Sequence, residues 1–370
     1  MCRILIINDH RYPLGGADRI SNEMLQFFQK KGYITKFFSY DDVDVEYYDK
    51  VWSNVLKNLF NIRVYCLLRG LIREYQPDVI FVHSWTKKLS PSCFLASRGF
   101  NVNIVAHDYF LMCPNGGQYN YRKKVKCNLK GGSLSCAFEN CDKNSYLQKL
   151  YRLIRFSLQA LVLGVVRPHV VCLNRMQVDM LFASKFQTTY RPNDVSYIEA
   201  RFGSTVGKNI LYIGRPDPEK GLDRIIDLAS NVDYSFDLVG VDRNDLDDGI
   251  DEKVTFFGWC NPEQIQQRMD AARLLIFPSR WLEVDPLVPL EACSFGVPVY
   301  CSGDNLFAET LRAYGLDRFI FHNEEELVSN LGKIYKESGI AKTRKVFFRL
   351  FLDERRRRAE LNTLQSPVCL

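Results

Sequence analysis

Short, wholly apolar runs separated by amphipathic stretches recur along most of the chain, and this alternation limits its possible folds more than any other feature. Strand-like runs fall at Arg3–Asn8, Thr35–Ser39, Val79–His83, Val102–Ala106 and Val170–Leu173. A second series follows at Asn209–Ile213, Ser235–Val239, Val254–Phe257, Leu274–Pro278 and Val297–Cys301. Helical stretches such as Asp18–Lys31, Gly221–Ser230 and Pro262–Asp270 lie between them. Strands apolar on both faces with helices between them imply parallel sheets covered on both sides. Two series predict two doubly wound α/β domains, and 370 residues exceed one ordinary core. The periodicity breaks between Tyr190 and Lys208, at Arg191-Pro192-Asn193-Asp194 and Gly203–Gly207. The expected domains are therefore 1–200, 201–340 and a basic C-terminal helix at 341–370, with a cysteine-rich insertion at 110–145 inside the first.

Composition excludes several classes. An apolar fraction of 46% beside 25% charged residues is that of a globular protein in water. The start, Met1–His10, forms a first strand rather than a leader, and the longest apolar run, Ala160–Val166, falls well short of the about 20 residues that span a bilayer. The expected location is cytoplasmic. Charge is divided unevenly: residues 1–200 hold 27 Lys+Arg against 16 Asp+Glu, 201–341 hold 14 against 24, and 342–370 hold 8 against 3. Basic surfaces suit anionic partners, membranes or nucleic acids, and ordinary solvated charge is the other account. No nucleic-acid-binding motif accompanies the charge, so nucleic acid is not an expected partner. Tyr146–Val166 sets Lys149, Arg152 and Arg155 beside Leu147, Leu150, Ile154, Leu158 and Leu161. That pattern fits an interfacial helix or a helix packed on its own sheet.

Chemistry concentrates where strands end. In Ser279–Ala292, Glu283 and Glu291 stand with seven residues between them, just past the run Leu274–Phe277 and at the start of a helix. In an open parallel sheet that edge is where ligands bind. The first loop, Pro13-Leu14-Gly15-Gly16-Ala17-Asp18, opens a helix and lets an anionic or sugar ligand approach the backbone, or simply turns the chain. It lacks the G-x-G-x-x-G fingerprint, which argues against a dinucleotide enzyme. The loop Gly214–Asp223 places Arg215 and Lys220 five positions apart. They suit a diphosphate, with a planar fork and a point charge, or are two cations at a helix start. His107-Asp108 closes the fourth strand, and His83 holds a similar place on the third.

The Gly15-Gly16 loop, His107-Asp108, Gly214-Arg215, Glu219-Lys220-Gly221, Phe257-Gly258, Pro278-Ser279 and the Glu283/Glu291 pair, in this order, resemble the family 4 glycosyltransferases. The resemblance runs from residue 3 to about residue 335. It implies the GT-B fold: two doubly wound Rossmann-like domains facing each other across a cleft, the first for the acceptor and the second for the nucleotide-sugar. It implies a retaining, metal-independent hexosyl transfer from a nucleotide-diphosphate sugar, UDP favoured over GDP, to a glycan or lipid-linked acceptor in surface polysaccharide synthesis.

In that scheme Arg215 and Lys220 hold the diphosphate, Glu291 the ribose and Glu283 the sugar. The N–H groups of Leu287 and Val288 help hold the sugar, and His107 reaches it near the reacting carbon. Gly15 and Gly16 close over the phosphates, with Phe257, Gly258 and Trp259 near the base. Such a reaction separates charge between phosphate and sugar ring, which fixed cations and carboxylates stabilise; the paired carboxylates of a hydrolase are not evident. The family's C-terminal helix crosses back to the first domain, which would add Arg355–Arg358 to a basic face turned to the inner side of the plasma membrane. Asp42-Val43-Asp44 is expected to be a surface loop rather than a metal motif.

Two departures stand out. Asp285-Pro286 replaces the family's aromatic-glycine pair, and Asn193-Asp194 its Asn-Gly. Proline has no N–H to offer a sugar hydroxyl. The departure leaves a second function open, that of a catalytically inactive GT-B subunit supporting a partner enzyme.

Twelve cysteines in a reducing compartment are expected to stay mostly reduced. Cys113, Cys127, Cys136 and Cys141 crowd the polar insertion after His107. A structural zinc, a disulfide or free thiols all remain open for them, since their spacing lacks the C-x₂-C pairs of common zinc sites.

Overall fold

The computed structural model describes residues 2–12, 15–43, 57–182, 186–203, 206–245 and 252–364. Pro13 and Leu14 of the first loop and Asp44 of the acidic triplet lie outside them. In chain order the strands are β1 (Arg3–Asn8), β2 (Ile34–Ser39), β3 (Val79–Val82), β4 (Val102–Ala106), β5 (Tyr119–Asn120), β6 (Val125–Lys126), β7 (His169–Cys172) and β8 (Gln187–Tyr190). They continue with β9 (Asn209–Ile213), β10 (Phe236–Val239), β11 (Val254–Phe256), β12 (Ala272–Phe277), β13 (Val299–Ser302) and β14 (Ile320–Phe321).

The chain divides into two compact units. One comprises Met1–Gln118, Asn128–Asn193 and Leu361–Leu370; the other comprises Tyr119–Cys127 and Asp194–Glu360. Most of the insertion thus belongs to the first unit, whereas its small antiparallel hairpin, β5 with β6, belongs to the second.

In the first unit a six-stranded sheet runs β2-β1-β3-β4-β7-β8, every pair parallel. Ile4–Ile7 at its centre are wholly buried. The second unit's sheet runs β11-β10-β9-β12-β13-β14, again all parallel. In each sheet the winding direction reverses once, between β1 and β3 and between β9 and β12. At such a reversal the loops beyond neighbouring strands diverge and leave a crevice for ligands. The loops containing Gly15-Gly16 and Arg215–Lys220 follow β1 and β9, and Ser279–Glu283 follows β12.

Two edge strands are absent from the sequence expectation. β8 is Gln-Thr-Thr-Tyr, too polar to register as a buried run, and β14 holds only two residues. The helices, by contrast, carry local start signals. Asn261 accepts from the N–H of Gln264 while the Gln264 side chain accepts from the N–H of Asn261, a reciprocal cap. Asn61, Ser145, Asn174 and Asn323 each cap a helix with a side-chain oxygen.

The C-terminal helix is one continuous element, Ile340–Leu364. Phe347, Leu350 and Phe351 on it join the second unit's core. Arg344, almost wholly buried, donates to the carbonyls of Gly203, Ala272 and Phe295 and ties the helix root to that unit.

Gly221, which follows Lys220, has φ +74, and a Cβ there would come within 2.4 Å of the Pro278 carbonyl oxygen. Glycine is therefore required both by the left-handed backbone and by the approach of the loops after β9 and β12. Replacing Gly221 by Ala is expected to destabilise the protein by about 2 kcal/mol or more, read as a lower urea midpoint.

Candidate active site

The loops after β9 and β12 are knitted together by backbone and side chain. The N–H of Arg280 donates to the Glu219 carbonyl at 2.8 Å, and the Arg280 guanidinium pairs with Asp223 at 2.5 Å. Between these ties the ammonium of Lys220 meets Oε1 of Glu283 at 2.5 Å. Ser279 donates to the same oxygen at 3.0 Å, and Lys220 Nζ sits 5.0 Å from the centre of the Trp281 ring. Both charged side chains are largely withdrawn from water, at 20% and 12% exposure. Burial would push the Glu283 carboxyl up, but the Lys220 charge and its hydrogen bond outweigh that and hold it below the usual range. The pair is a fixed positive and a fixed negative charge side by side at the sheet's switch point.

Four residues beyond Glu283, the helix Leu287–Ser294 begins. Pro286 precedes it with no side-chain cap, so the first N–H groups, those of Leu287 and Val288, receive none. Glu291 lies on this helix, one turn further on. Arg215, by contrast, is 54% exposed and pairs with Asp217 at 3.2 Å. A pair that open contributes about 0–1 kcal/mol, leaving the guanidinium free to change partner at little cost. Gly258 has φ +56, and a Cβ there would fall 2.5 Å from Oδ1 of Asp242. Its carbonyl accepts from the N–H of Gly240, so backbone from two strand ends meets directly. Trp259 beside it is 69% exposed.

One partner of this site was not legible in the sequence. Arg358, on the C-terminal helix, grips Asp285 with both terminal nitrogens, at 2.7 and 2.8 Å, and approaches Glu354 at 3.5 Å. Arg358 and Asp285 are 8% and 7% exposed. Losing one member of a pair so buried costs about 3–5 kcal/mol, enough to make it the anchor of the Glu283–Leu287 segment. Of the basic run Arg355–Arg358, Arg358 alone is buried, because the helix turns that one position inward; Arg356 and Arg357 are exposed, Arg357 pairing with Glu354, and the half-buried Arg355 donates to the Ser196 carbonyl.

The first unit holds His107, Gly15 and Gly16. His107 Nε2 lies 2.8 Å from Nδ1 of His83, so the two rings share one hydrogen bond, in which one nitrogen donates and the other accepts. Burial, and then the neighbouring ring, push His83 well below its ordinary value. Asp108 is pushed up to about 6, chiefly by burial. Gln177 donates to the carbonyls of Ala106 and Asp108 and braces the end of β4. Gly15 adopts an extended backbone as the uncapped start of the helix Gly16–Lys30, and a Cβ at Gly15 or Gly16 would meet nothing within 4 Å. The fold itself does not demand glycine there.

The helix Tyr146–Val166 is oriented otherwise than its composition suggests. Its basic residues turn inward: Lys149 is wholly buried, Arg152 pairs with Asp142 at 3.0 Å, and Arg155 donates to the Thr86 carbonyl. The face left outside is apolar, with Leu147, Leu150, Ile154, Leu161 and Val165 exposed. Of the four insertion cysteines, Cys113, Cys136 and Cys141 belong to the first unit and Cys127 to the second. Among the described residues no three His, Cys, Asp or Glu are grouped so as to hold a metal ion.

Residues 201–347 match the family model described as glycosyl transferases group 1. An uncharacterised 41.2 kDa protein in the cps region of Klebsiella pneumoniae is 35% identical over 95 residues, 25% of this chain and 26% of that protein. The alignment thus spans about a quarter of that relative. Among solved structures, sucrose-phosphate synthase from Thermosynechococcus elongatus superposes with a TM-score of 0.64 at 14% identity, covering 99% of this chain and 100% of that one. HepE from Anabaena with UDP-glucose gives 0.64 at 13%, with the same coverage. WaaG, a glycosyltransferase involved in lipopolysaccharide biosynthesis, gives 0.61 at 15%, again over 99% and 100%. At such identities the likeness shows the fold, and the fold is GT-B.

The Lys220–Glu283 pair predicts a pH signature. Glu283 titrates lower folded than unfolded, so its contribution is present above about pH 4.5 and is lost as pH falls through the folded value. Glu283→Gln should flatten the decline of the urea midpoint between about pH 5 and 3 relative to the parent. An unchanged slope would show that Lys220 does not stabilise the Glu283 carboxylate.

Proposed function

We propose that the chain, whose residues 201–347 match the glycosyl transferases group 1 model, is a retaining glycosyltransferase using a nucleotide-diphosphate sugar, UDP before GDP. The observation that carries this reading is the Lys220–Glu283 contact beside the exposed Arg215, at the switch point of a GT-B second unit. Glycosyl transfer from a nucleotide-sugar builds negative charge on the departing diphosphate and positive charge on the sugar ring. Lys220 and Arg215 answer the first, and Glu283 the second. In this reading the donor's phosphates take over Lys220 from Glu283, which frees the carboxylate toward the sugar hydroxyls. The N–H groups of Leu287 and Val288 hold the sugar, and Glu291 holds the ribose. Gly258 and Trp259 border the base. His107 serves the reacting carbon, with Gly15 and Gly16 at the phosphates, as the family resemblance implies. Side chains supply the charge neutralisation that a metal would otherwise supply.

For the acceptor class the reading draws support from the relatives. One lies in a cps region and a structural neighbour acts in lipopolysaccharide biosynthesis, which supports a glycan or lipid-linked acceptor in surface polysaccharide synthesis. Among the described residues no helix is long and apolar enough to cross a membrane. The exposed stripe Leu147, Leu150, Ile154 and Leu161 supports attachment from the cytoplasmic side by burial of apolar surface rather than by the basic residues.

Glu283→Gln and Lys220→Met are each expected to lower transfer from the UDP-sugar by about 100-fold or more while the circular dichroism spectrum is retained. If the parent binds UDP-sugars in a thermal-shift assay yet turns none over with any acceptor, the chain is a supporting subunit instead, the reading that Pro286 favours.

A double substitution, Ile154→Ser with Leu161→Ser, should reduce co-sedimentation with anionic phospholipid vesicles several-fold and leave the thermal midpoint nearly unchanged, since both side chains are exposed. Undiminished co-sedimentation would remove this helix as the attachment face.

A further inference from the structure

The helix that follows the insertion holds a charge that its surroundings do not explain by carboxylates. Lys149, wholly buried, directs Nζ at two sulfurs, Sγ of Cys141 at 3.2 Å and Sγ of Cys136 at 3.3 Å. Among the described residues no carboxylate pairs with it, and the nearby Asp142 is taken by Arg152. Asn115, itself buried, donates Nδ2 to the same Cys141 sulfur at 3.4 Å and accepts from Cys113 at 2.9 Å. Cys141 therefore receives two donors, one of them cationic. A buried ammonium is stabilised by an anion beside it, and the groups that Nζ contacts are two sulfurs, either of which supplies that anion as a thiolate.

We propose that Cys141 is a lysine-held thiolate and Cys136 its resolving partner, forming a redox-active dithiol that reacts with peroxides. This assignment is independent of the glycosyltransferase reading. The Cys141 sulfur attacks one peroxide oxygen, the O–O bond breaks, and a sulfenic acid forms with loss of hydroxide. The Cys136 sulfur then forms the S–S bond and the S–O bond breaks, releasing the second hydroxide. The two hydroxides leave as two waters, taking the Cys136 proton and the proton that Lys149 held against the thiolate. Two thiols are oxidised and the peroxide is reduced. Both sulfurs contact one nitrogen, which places them in one another's neighbourhood.

The two sulfurs also account for the state of Lys149. Burial alone would lower its ordinary value, yet contacts to Cys141 and then Cys136 turn the balance upward and keep the ammonium protonated. Two buried thiols elsewhere, Cys93 and Cys293, have no such cation among the causes of their shift and are pushed well up by burial.

The test uses the full chain. Hydrogen peroxide should yield a product lighter by two hydrogens whose digest contains a peptide linking Cys136 to Cys141. Lys149→Met should slow iodoacetamide labelling of Cys141 at pH 7 by about tenfold or more, with labelling of the exposed Cys66 unchanged. Three results would overturn the proposal: no linked peptide from the unsubstituted protein, Cys141 labelling indifferent to Lys149→Met, or about one equivalent of zinc retained by Cys113, Cys127, Cys136 and Cys141. The first measurement requires no variant, so it stands even if Lys149→Met fails to fold.

Discussion

The Lys220–Glu283 contact is the interaction on which the loops of the second unit converge. Burial alone would push the Glu283 carboxyl up, and the Lys220 charge at 2.5 Å, with Ser279 donating to the same oxygen, outweighs that. The second unit is arranged to make that contact possible. Gly221 lets the loop after β9 pass under the Pro278 carbonyl, and Arg280 ties the two loops by its N–H and its guanidinium. The pair sets one fixed positive and one fixed negative charge side by side, which is what the proposed function asks of it.

A second buried pair determines where the following segment lies. Arg358 reaches from the C-terminal helix to Asp285, two residues past Glu283, and Arg344 fastens the root of that helix through backbone carbonyls. The residues that depart from the family pattern, Asp285-Pro286, thus have a physical account in this chain. Asp285 serves as the attachment point for a distant arginine, and Pro286 starts a helix whose first donors are left to Leu287 and Val288.

Much of the architecture was legible because buried parallel strands are continuously apolar and the helices between them carry caps. The central strands of both sheets could be placed that way. β8 and β14 escaped, one because it is polar and the other because two residues carry no pattern. Of the site, Lys220 and Glu283 were foreseeable from their loops, and the fold brings them together. Arg215 was foreseeable as a cation but not as an exposed one engaged with Asp217. The helix Tyr146–Val166 inverted its expected polarity: spacing says which residues share a face, but not which face is covered. Lys149, Arg152 and Arg155 found partners inside, so the leucines were left outside.

By itself the sequence determined the α/β class, the two parallel sheets and the loops at which charged residues gather. These follow from local periodicity and from glycine and proline chemistry, which neighbouring residues carry in full. Only the tertiary structure decided which charges meet. Lys220 lies 63 residues from Glu283, Asp285 lies 73 from Arg358, and Lys149 faces cysteines that spacing alone left among three possible fates. Attraction between charges depends on distance through space and on the exclusion of water, and both are set by packing rather than by position along the chain.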